Sequence, residues 1–221
     1  VADSMPMFPL NTVVFPGMTV PLHVFEERYR ALVDHLLEVP DPGQRVFGTV
    51  AIREGYEVGD HGAQSIYRVG CTLQLTEVEP RPDGSFDVVA VGRDRLLLDR
   101  MEPGGDYPHG LASVVVEPRV RVEEQVLDRA RATFTAYRAA MAQLQGDPFS
   151  GTLPRDPDYL AWTLSAIAPL PMAERQSLLE APDSQERLEL VTHLLREELR
   201  AINVIPSLPA TQVARTAWSP N

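Results

Sequence analysis

Apolar residues change their spacing twice along the chain. In PMFPLNTVVFPGMTVPLHV they come in short clusters cut by Pro9, Pro16 and Pro21. Each proline denies the backbone a ladder hydrogen bond, so these pieces are expected as short or edge strands. Pro16-Gly17 is a turn signal, with proline presetting the first corner and glycine accepting positive φ at the second. After Pro21 the period lengthens. Phe25, Tyr29, Leu32, Val33 and Leu36 recur at three and four residues, which predicts one helix over about residues 24–38, with Glu26 and Glu27 near its N-terminal end, where the helix dipole favours acidic groups.

From residue 45 to about 117 the spacing shortens again. VFGTVAI, YRVGCTLQLTEVE, FDVVAVG, RLLLDR and LASVVVE read as separate strands divided by Gly, Pro and Asp. Val69, Cys71, Leu73 and Leu75 alternate with smaller or more polar residues, and Arg81-Pro82-Asp83-Gly84 supplies a tight turn. Residues 68–92 therefore read as the clearest hairpin in the chain. Several antiparallel strands with one helix predict a small curled or barrel-like sheet rather than a parallel nucleotide-binding fold.

Beyond Val120 the strand signals vanish. Val126, Ala130, Phe134, Tyr137 and Met141 follow helical spacing, and Gly146-Asp147-Pro148 is read as the stop. YLAWTLSAIA is nearly all apolar and reads as an internal helix. MAERQSLLEA, between Pro171 and Pro182, is the next. Ser184 is the expected N-cap of a last helix whose apolar stripe is Leu188, Val191, Leu194, Leu195, Leu199 and Ile202. The tail after Pro206 is polar enough to fray, with Trp218 either a packing anchor or an idle exposed residue.

Composition narrows the function. The chain has 221 residues, 44% hydrophobic and 23% charged, which is the range of ordinary globular proteins. Its net charge of -11 would repel nucleic acid in the absence of a local basic patch. All twenty basic residues are arginines. Without lysine there is no phosphate-binding loop of the Gly-Lys-Ser/Thr type, no Ser-Lys dyad and no Schiff base. No apolar run is long enough for a membrane span, the first residues lack the features of a signal peptide, and a cytoplasmic location is expected. The single cysteine, Cys71, is expected as a buried thiol.

Catalytic constellations find no local support. His23, His35, His61, His109 and His193 are scattered and form no metal-ligand spacing with one another or with Cys71. Glu26-Glu27, Glu123-Glu124 and Glu197-Glu198 are adjacent on helices and read as solvated faces. No serine stands in a nucleophile elbow, and GDHG at 59–62 lacks the following helix of a phosphate cradle. The expectation is a non-catalytic chain with no cofactor and no metal.

Two blocks resemble the N-terminal domain of ATP-dependent Lon proteases. The first is carried by Pro9, Leu10, Val14, Phe15, Pro16, Gly17, Pro21 and Leu22, followed by Phe25, Arg28 and Tyr29. The second is a hairpin with Gly70, where Cys71 departs from the family's threonine, followed by Gly92, Arg93, Asp94 and Arg95. Leu178, Leu179, Leu188 and Leu194 are similar to the family's apolar positions in its helical part.

The resemblance covers about residues 5–203 and implies a bacterial α+β protein. Its parts would be a PUA-like β pseudo-barrel with one helix (1–118), an α-helical bundle (119–205) and a tail (206–221). Because the chain has no lysine and no room for ATPase or protease modules, the resemblance implies a stand-alone protein- or peptide-binding module and not the protease. Arg28 and Arg93 are the candidate binding residues, each serving either to orient a local carboxylate or to present a guanidinium to a bound chain. Binding is expected through apolar contact in the cleft between sheet and helices and through strand-edge hydrogen bonds. The expected partners are protein or unfolded peptide clients and a separate protease, with no nucleic acid and no membrane, the chain acting as monomer or homodimer. The alternatives are a small-molecule-binding regulator and an unrecognised hydrolase.

Overall fold

The computed structural model describes residues 2–53, 66–145, 149 and 151–204. The GDHG segment, His61, the helix stop at 146–148 and the tail with Trp218 lie outside them. The chain divides into two compact units at Val116/Glu117.

The first unit is an antiparallel sheet with one helix. Its elements are β1 (Asp3–Pro6), β2 (Thr19–Val24), α1 (Glu27–Glu38), β3 (Val46–Thr49), β4 (Val69–Pro80), β5 (Phe86–Glu102) and β6 (His109–Val115). The strand order is β1-β6-β5-β4-β3, with β2 paired to β5 off this path. The expected β pseudo-barrel is not formed, and the sheet is open. Its end strands β1 and β3 share no ladder; the segment after β1 meets the β3 region at the isolated bridges Met7–Gly48 and Leu10–Ala51, with Phe8 N donating to Gly48 O (2.8 Å) and Leu10 N to Val50 O (3.0 Å). Pro6 has no N–H to offer on the side where Phe8 and Leu10 donate to the β3 region, so this pairing does not extend back into β1 as a ladder.

FDVVAVG and RLLLDR are one strand, not two. Gly92 does not turn the chain. It permits a close crossing, because a Cβ there would lie 2.2 Å from Phe15 O, and the crossing is bonded from Gly17 N to Gly92 O and from Gly92 N to Met18 O, both at 2.9 Å. The expected hairpin is present: Arg81 N donates to Ser85 O (2.8 Å), and Gly84 takes positive φ at its tip. Val24, Leu32, Leu36, Phe47, Leu73 and Val88 belong to one buried cluster that joins α1 to the sheet. Cys71 is fully buried, and burial pushes its thiol up to about 12.

The second unit is a bundle of α2 (Glu124–Gln145), α3 (Pro157–Ile167), α4 (Met172–Glu180) and α5 (Ser184–Val204). The positions read as the α2 stripe are all buried, as are Leu188, Val191, Leu195 and Ile202 of α5. Asp156 caps α3, its carboxylate accepting from the Asp158 and Tyr159 amides, and Pro157 takes the first helical position. The cap of α5 is Asp183, one residue before the expected Ser184. Its carbonyl accepts from Arg187 N and its carboxylate from Glu186 N. Ser184 is buried instead and donates to the Asp158 carboxylate.

Two arginines hold this unit together from inside. Arg175 donates to the Ala166 and Ala168 carbonyls at the C-terminal end of α3 (3.1 and 3.2 Å), and burial lowers its pKa to about 10, still cationic at neutral pH. Arg187, fully buried, donates to Leu178 O (2.9 Å), Ala181 O (2.8 Å) and Glu117 Oε1 (2.7 Å). Its guanidinium carbon lies 3.4 Å from the Trp162 ring centroid.

Glu198 is placed less comfortably. Its Oε2 is buried with no hydrogen-bond partner among the described residues, and burial first, then Glu174, raises its pKa. A raised carboxyl pKa means the folded state penalises the charged form. The penalty is present above the folded pKa and relieved as pH falls towards the unfolded value of 4.5. Glu198→Gln should therefore raise the urea midpoint at pH 7 and leave it nearly unchanged at about pH 4. An equal effect at both values would contradict this assignment.

Candidate functional site

The junction between β2 and α1 leaves an aromatic ring in solvent. Phe25 was expected on the buried stripe of the helix, but α1 begins only at Glu27 and Phe25 is 47% exposed. The helical period holds from Tyr29 onward. The adjacent Glu26-Glu27 pair is the one sequence signal that the helix starts later, since acidic residues favour the first turn.

Around Phe25 the side chains are ordered. The His23 ring stacks beside it with centroids 5.9 Å apart, and His23 Nδ1 lies 2.7 Å from Asp87 Oδ1. Hydrogen bonds from His23 and then Arg81 hold the Asp87 carboxyl below its usual range. Glu26 is the N-cap of α1 but makes no side-chain cap bond; its carboxylate accepts from Arg28 Nε (3.0 Å) and Nη2 (2.8 Å) instead. The Arg28 guanidinium lies 4.7 Å from the centroid of Tyr29, whose ring stacks on Phe8 at 3.9 Å. Burial, more than the neighbouring charges, raises the Tyr29 hydroxyl pKa.

These residues border a shallow depression floored by Phe8, Leu10, Val24 and Ile52. Its cavity volume is about 60 Å³. An apolar cavity that takes benzene is about 150 Å³, so this one admits part of a side chain and not an enclosed small ligand. Arg28 lies at its rim. Arg93 is not among its lining residues; it is exposed on β5 and hydrogen-bonded to Gln74 Oε1 across the β4–β5 ladder. Among the described residues no group of three His, Cys, Asp or Glu is arranged to hold a metal, and no helix is long and apolar enough to cross a membrane.

An open antiparallel sheet with one helix, followed by a helical bundle, makes this an α+β protein of two units. Residues 4–197 match the model of the ATP-dependent protease La (LON) substrate-binding domain, and the chain belongs to that family. It corresponds to the family's non-catalytic, substrate-binding region. Among curated relatives, Lon protease of Escherichia coli (strain K12) is 26% identical over 209 residues, covering 91% of this chain and 26% of its own length. Lon protease of Elusimicrobium minutum is 28% identical over 202 residues, covering 88% and 23%. The chain thus spans about a quarter of the length of these bacterial relatives. Two solved structures share the fold. A Lon N-terminal domain protein from Xanthomonas campestris aligns with TM-score 0.64 at 23% identity, over 86% of this chain and 98% of that one. The N-terminal domain of Mycobacterium avium complex Lon protease aligns with TM-score 0.59 at 19% identity, over 88% and 98%.

Proposed function

We propose that this chain captures exposed segments of other polypeptides and presents them to a separate protease, acting as an adaptor in protein quality control. The observation that carries the reading is Phe25, a half-exposed aromatic ring beside an apolar depression in a domain of the substrate-binding family. Aromatic anchors of this kind contribute a disproportionate share of binding energy at protein interfaces. Arg28 at the rim would present a guanidinium to an acidic or carbonyl group of the bound segment, and Arg93 would do the same on the β4–β5 face. A cytoplasmic location, a monomeric or homodimeric state and the exclusion of nucleic acid, argued from the net charge of -11, belong to the same reading.

Reduced, carboxymethylated α-lactalbumin is a suitable permanently unfolded probe. Titrated by fluorescence anisotropy, it should bind the intact chain, and Phe25→Ala should weaken binding by about tenfold or more while the thermal midpoint stays unchanged, as expected for an exposed ring. Equal affinities for Phe25→Ala and the parent chain would remove the depression from the reading. Absence of any binding would sink the reading itself.

A further inference from the structure

Charge in the helical unit is left unmatched at one place. α2 and α5 meet at their starts, where Glu123 N, one residue before α2, donates to Gln185 Oε1 at 3.2 Å. Over the next turns the two helices border an open groove of about 270 Å³. Its floor is Val126 and Thr192, both buried, and the Thr192 hydroxyl donates to Leu188 O at 2.6 Å, which commits its proton to its own helix. Arg129, His193 and Arg196 stand around the floor, all exposed, with an exposed Glu189 completing the lining.

The local sequence leaves both arginines without a partner. A helical ion pair needs an acidic residue three or four positions away. Arg129 has Gln125, Val126, Ala132 and Thr133 there, and Arg196 has Thr192, His193, Leu199 and Arg200. Packing supplies nothing instead: among the described residues Arg129, His193 and Arg196 have no hydrogen bond or ion pair. The other arginines of these helices are all engaged. Arg131 donates to Pro154 O, Arg138 to Phe149 O (2.9 Å), Arg187 to Leu178 O (2.9 Å) and Arg200 to the Glu197 carboxylate. Two free guanidinium groups on one groove are therefore a local exception in a chain of net charge -11.

We infer that the α2–α5 groove docks an acidic segment of a partner polypeptide, its carboxylates on Arg129 and Arg196 and an apolar side chain over Val126 and Thr192. A guanidinium receives a carboxylate through two parallel N–H···O bonds, and these two break no existing pair to do so. His193, one turn before Arg196, offers a ring N–H beside them. At physiological ionic strength charge reaches only about 8 Å. The unpaired arginines, and not the net charge of the chain, therefore govern a carboxylate seated between them. An exposed ion pair contributes little by itself, so apolar contact on the floor has to supply the rest; a polypeptide offers both, a free anion only charge. Glu189 argues against nucleic acid. It lies on the same face of α5 as Arg196, roughly 10 Å away along the axis, and a phosphate backbone following the groove would meet its carboxylate. This surface belongs to the helical unit and does not depend on the capture reading at Phe25.

The test is calorimetric titration of the intact chain with a capped peptide of repeating Glu-Glu-Leu and with its Gln-Gln-Leu counterpart. The expected result is binding of the acidic peptide and at least about tenfold weaker binding of the neutral one. The Arg129→Gln, Arg196→Gln double variant should lose affinity for the acidic peptide to a similar degree. Both side chains are exposed and unpaired, so this variant should keep the thermal midpoint of the parent chain. Arg100→Gln removes one exposed charge of the sheet unit and should leave the affinity unchanged, as should Phe25→Ala. No binding of the acidic peptide, equal binding of the two peptides, or undiminished affinity of the double variant would overturn the inference. So would a loss in Arg100→Gln as large as that of either groove arginine substituted alone, since net charge would then be the cause. Displacement of the acidic peptide by an equimolar amount of inorganic phosphate or of oligothymidylate would make the groove an anion or nucleic-acid site and overturn it equally. A loss in Phe25→Ala would place the peptide in the depression instead and end the assignment to α2 and α5.

Discussion

Arg187→Ala should destabilise the helical unit by about 3–5 kcal/mol, the range for removing one partner of a buried ion pair. The guanidinium is fully buried and every direction of its fork is used. Nε and Nη2 fill the carbonyls of Leu178 and Ala181 where α4 ends, Nη1 meets the Glu117 carboxylate, and the flat face covers Trp162. Truncation would strip the end of α4 of its donors and leave the Glu117 carboxylate, whose side chain is 25% exposed, without this partner. Lysine would restore the charge without the planar fork, so Arg187→Lys should recover less than half of the loss. Arg187→Met with Glu117→Gln removes both charges and keeps volume, and should be milder than Arg187→Ala alone. Urea unfolding of the full chain, followed by Trp fluorescence and far-UV circular dichroism, provides the ranking. A loss below about 1 kcal/mol for Arg187→Ala would mean that the buried pair contributes little to the fold.

Nothing in the local sequence announces Arg187. In DSQERLELV it precedes Leu188, and an arginine between polar and apolar positions reads as the solvated flank of a helix. Only the return of α4 and the Glu117 segment to the same place makes it interior, and hydrophobic periodicity carries no information about that. The stripe of α2 was legible for the opposite reason: Val126, Ala130, Phe134, Tyr137 and Met141 encode their burial in their own spacing, and all five are buried. Turn chemistry was equally legible at Arg81–Gly84, where the four residues need only one another.

The readings that failed depended on distant partners. Gly92 looked like a divider between two strands because a glycine that breaks a strand and one that admits a crossing chain are the same letter. The closed barrel was expected from resemblance, and closure depends on whether the ends of the sheet meet in a ladder; they meet only past Pro6, at isolated bridges. At the candidate site, Arg28 was singled out only by its place in the block that resembles the family, whereas Phe25 was taken for core because it lies four residues before Tyr29 and extends the helical period backwards. The depression it borders is assembled from β2, α1 and the segments around Phe8 and Ile52, so no single window of sequence contains it.

Gly70→Ala should cost more than any other single methyl added to the sheet unit, in excess of about 3 kcal/mol. β3 and β4 run antiparallel with Thr49 opposite Cys71, and a Cβ on Gly70 would lie 1.9 Å from Thr49 O and 2.8 Å from Val50 Cγ1. The obstacle is backbone, so no rotamer change relieves it, and β3 would have to move away from β4. Thr49 cannot follow freely, because its buried Oγ1 donates to Phe8 O at 2.8 Å, and Val50 and Phe8 are buried in the two apolar clusters of this unit. Gly17 offers the contrast. Its φ is +80°, but a Cβ there meets nothing within 4 Å, so Gly17→Ala pays only for a left-handed backbone, about 1–2 kcal/mol. Both glycines lie in the blocks that resemble the family, and they hold their places for different physical reasons: Gly70 for room, Gly17 for its dihedral angle. Far-UV circular dichroism across a urea series would separate them. Gly70→Ala should be largely unfolded where Gly17→Ala still shows a full native baseline, and the reverse order would show that β3 yields where the close approach says it cannot.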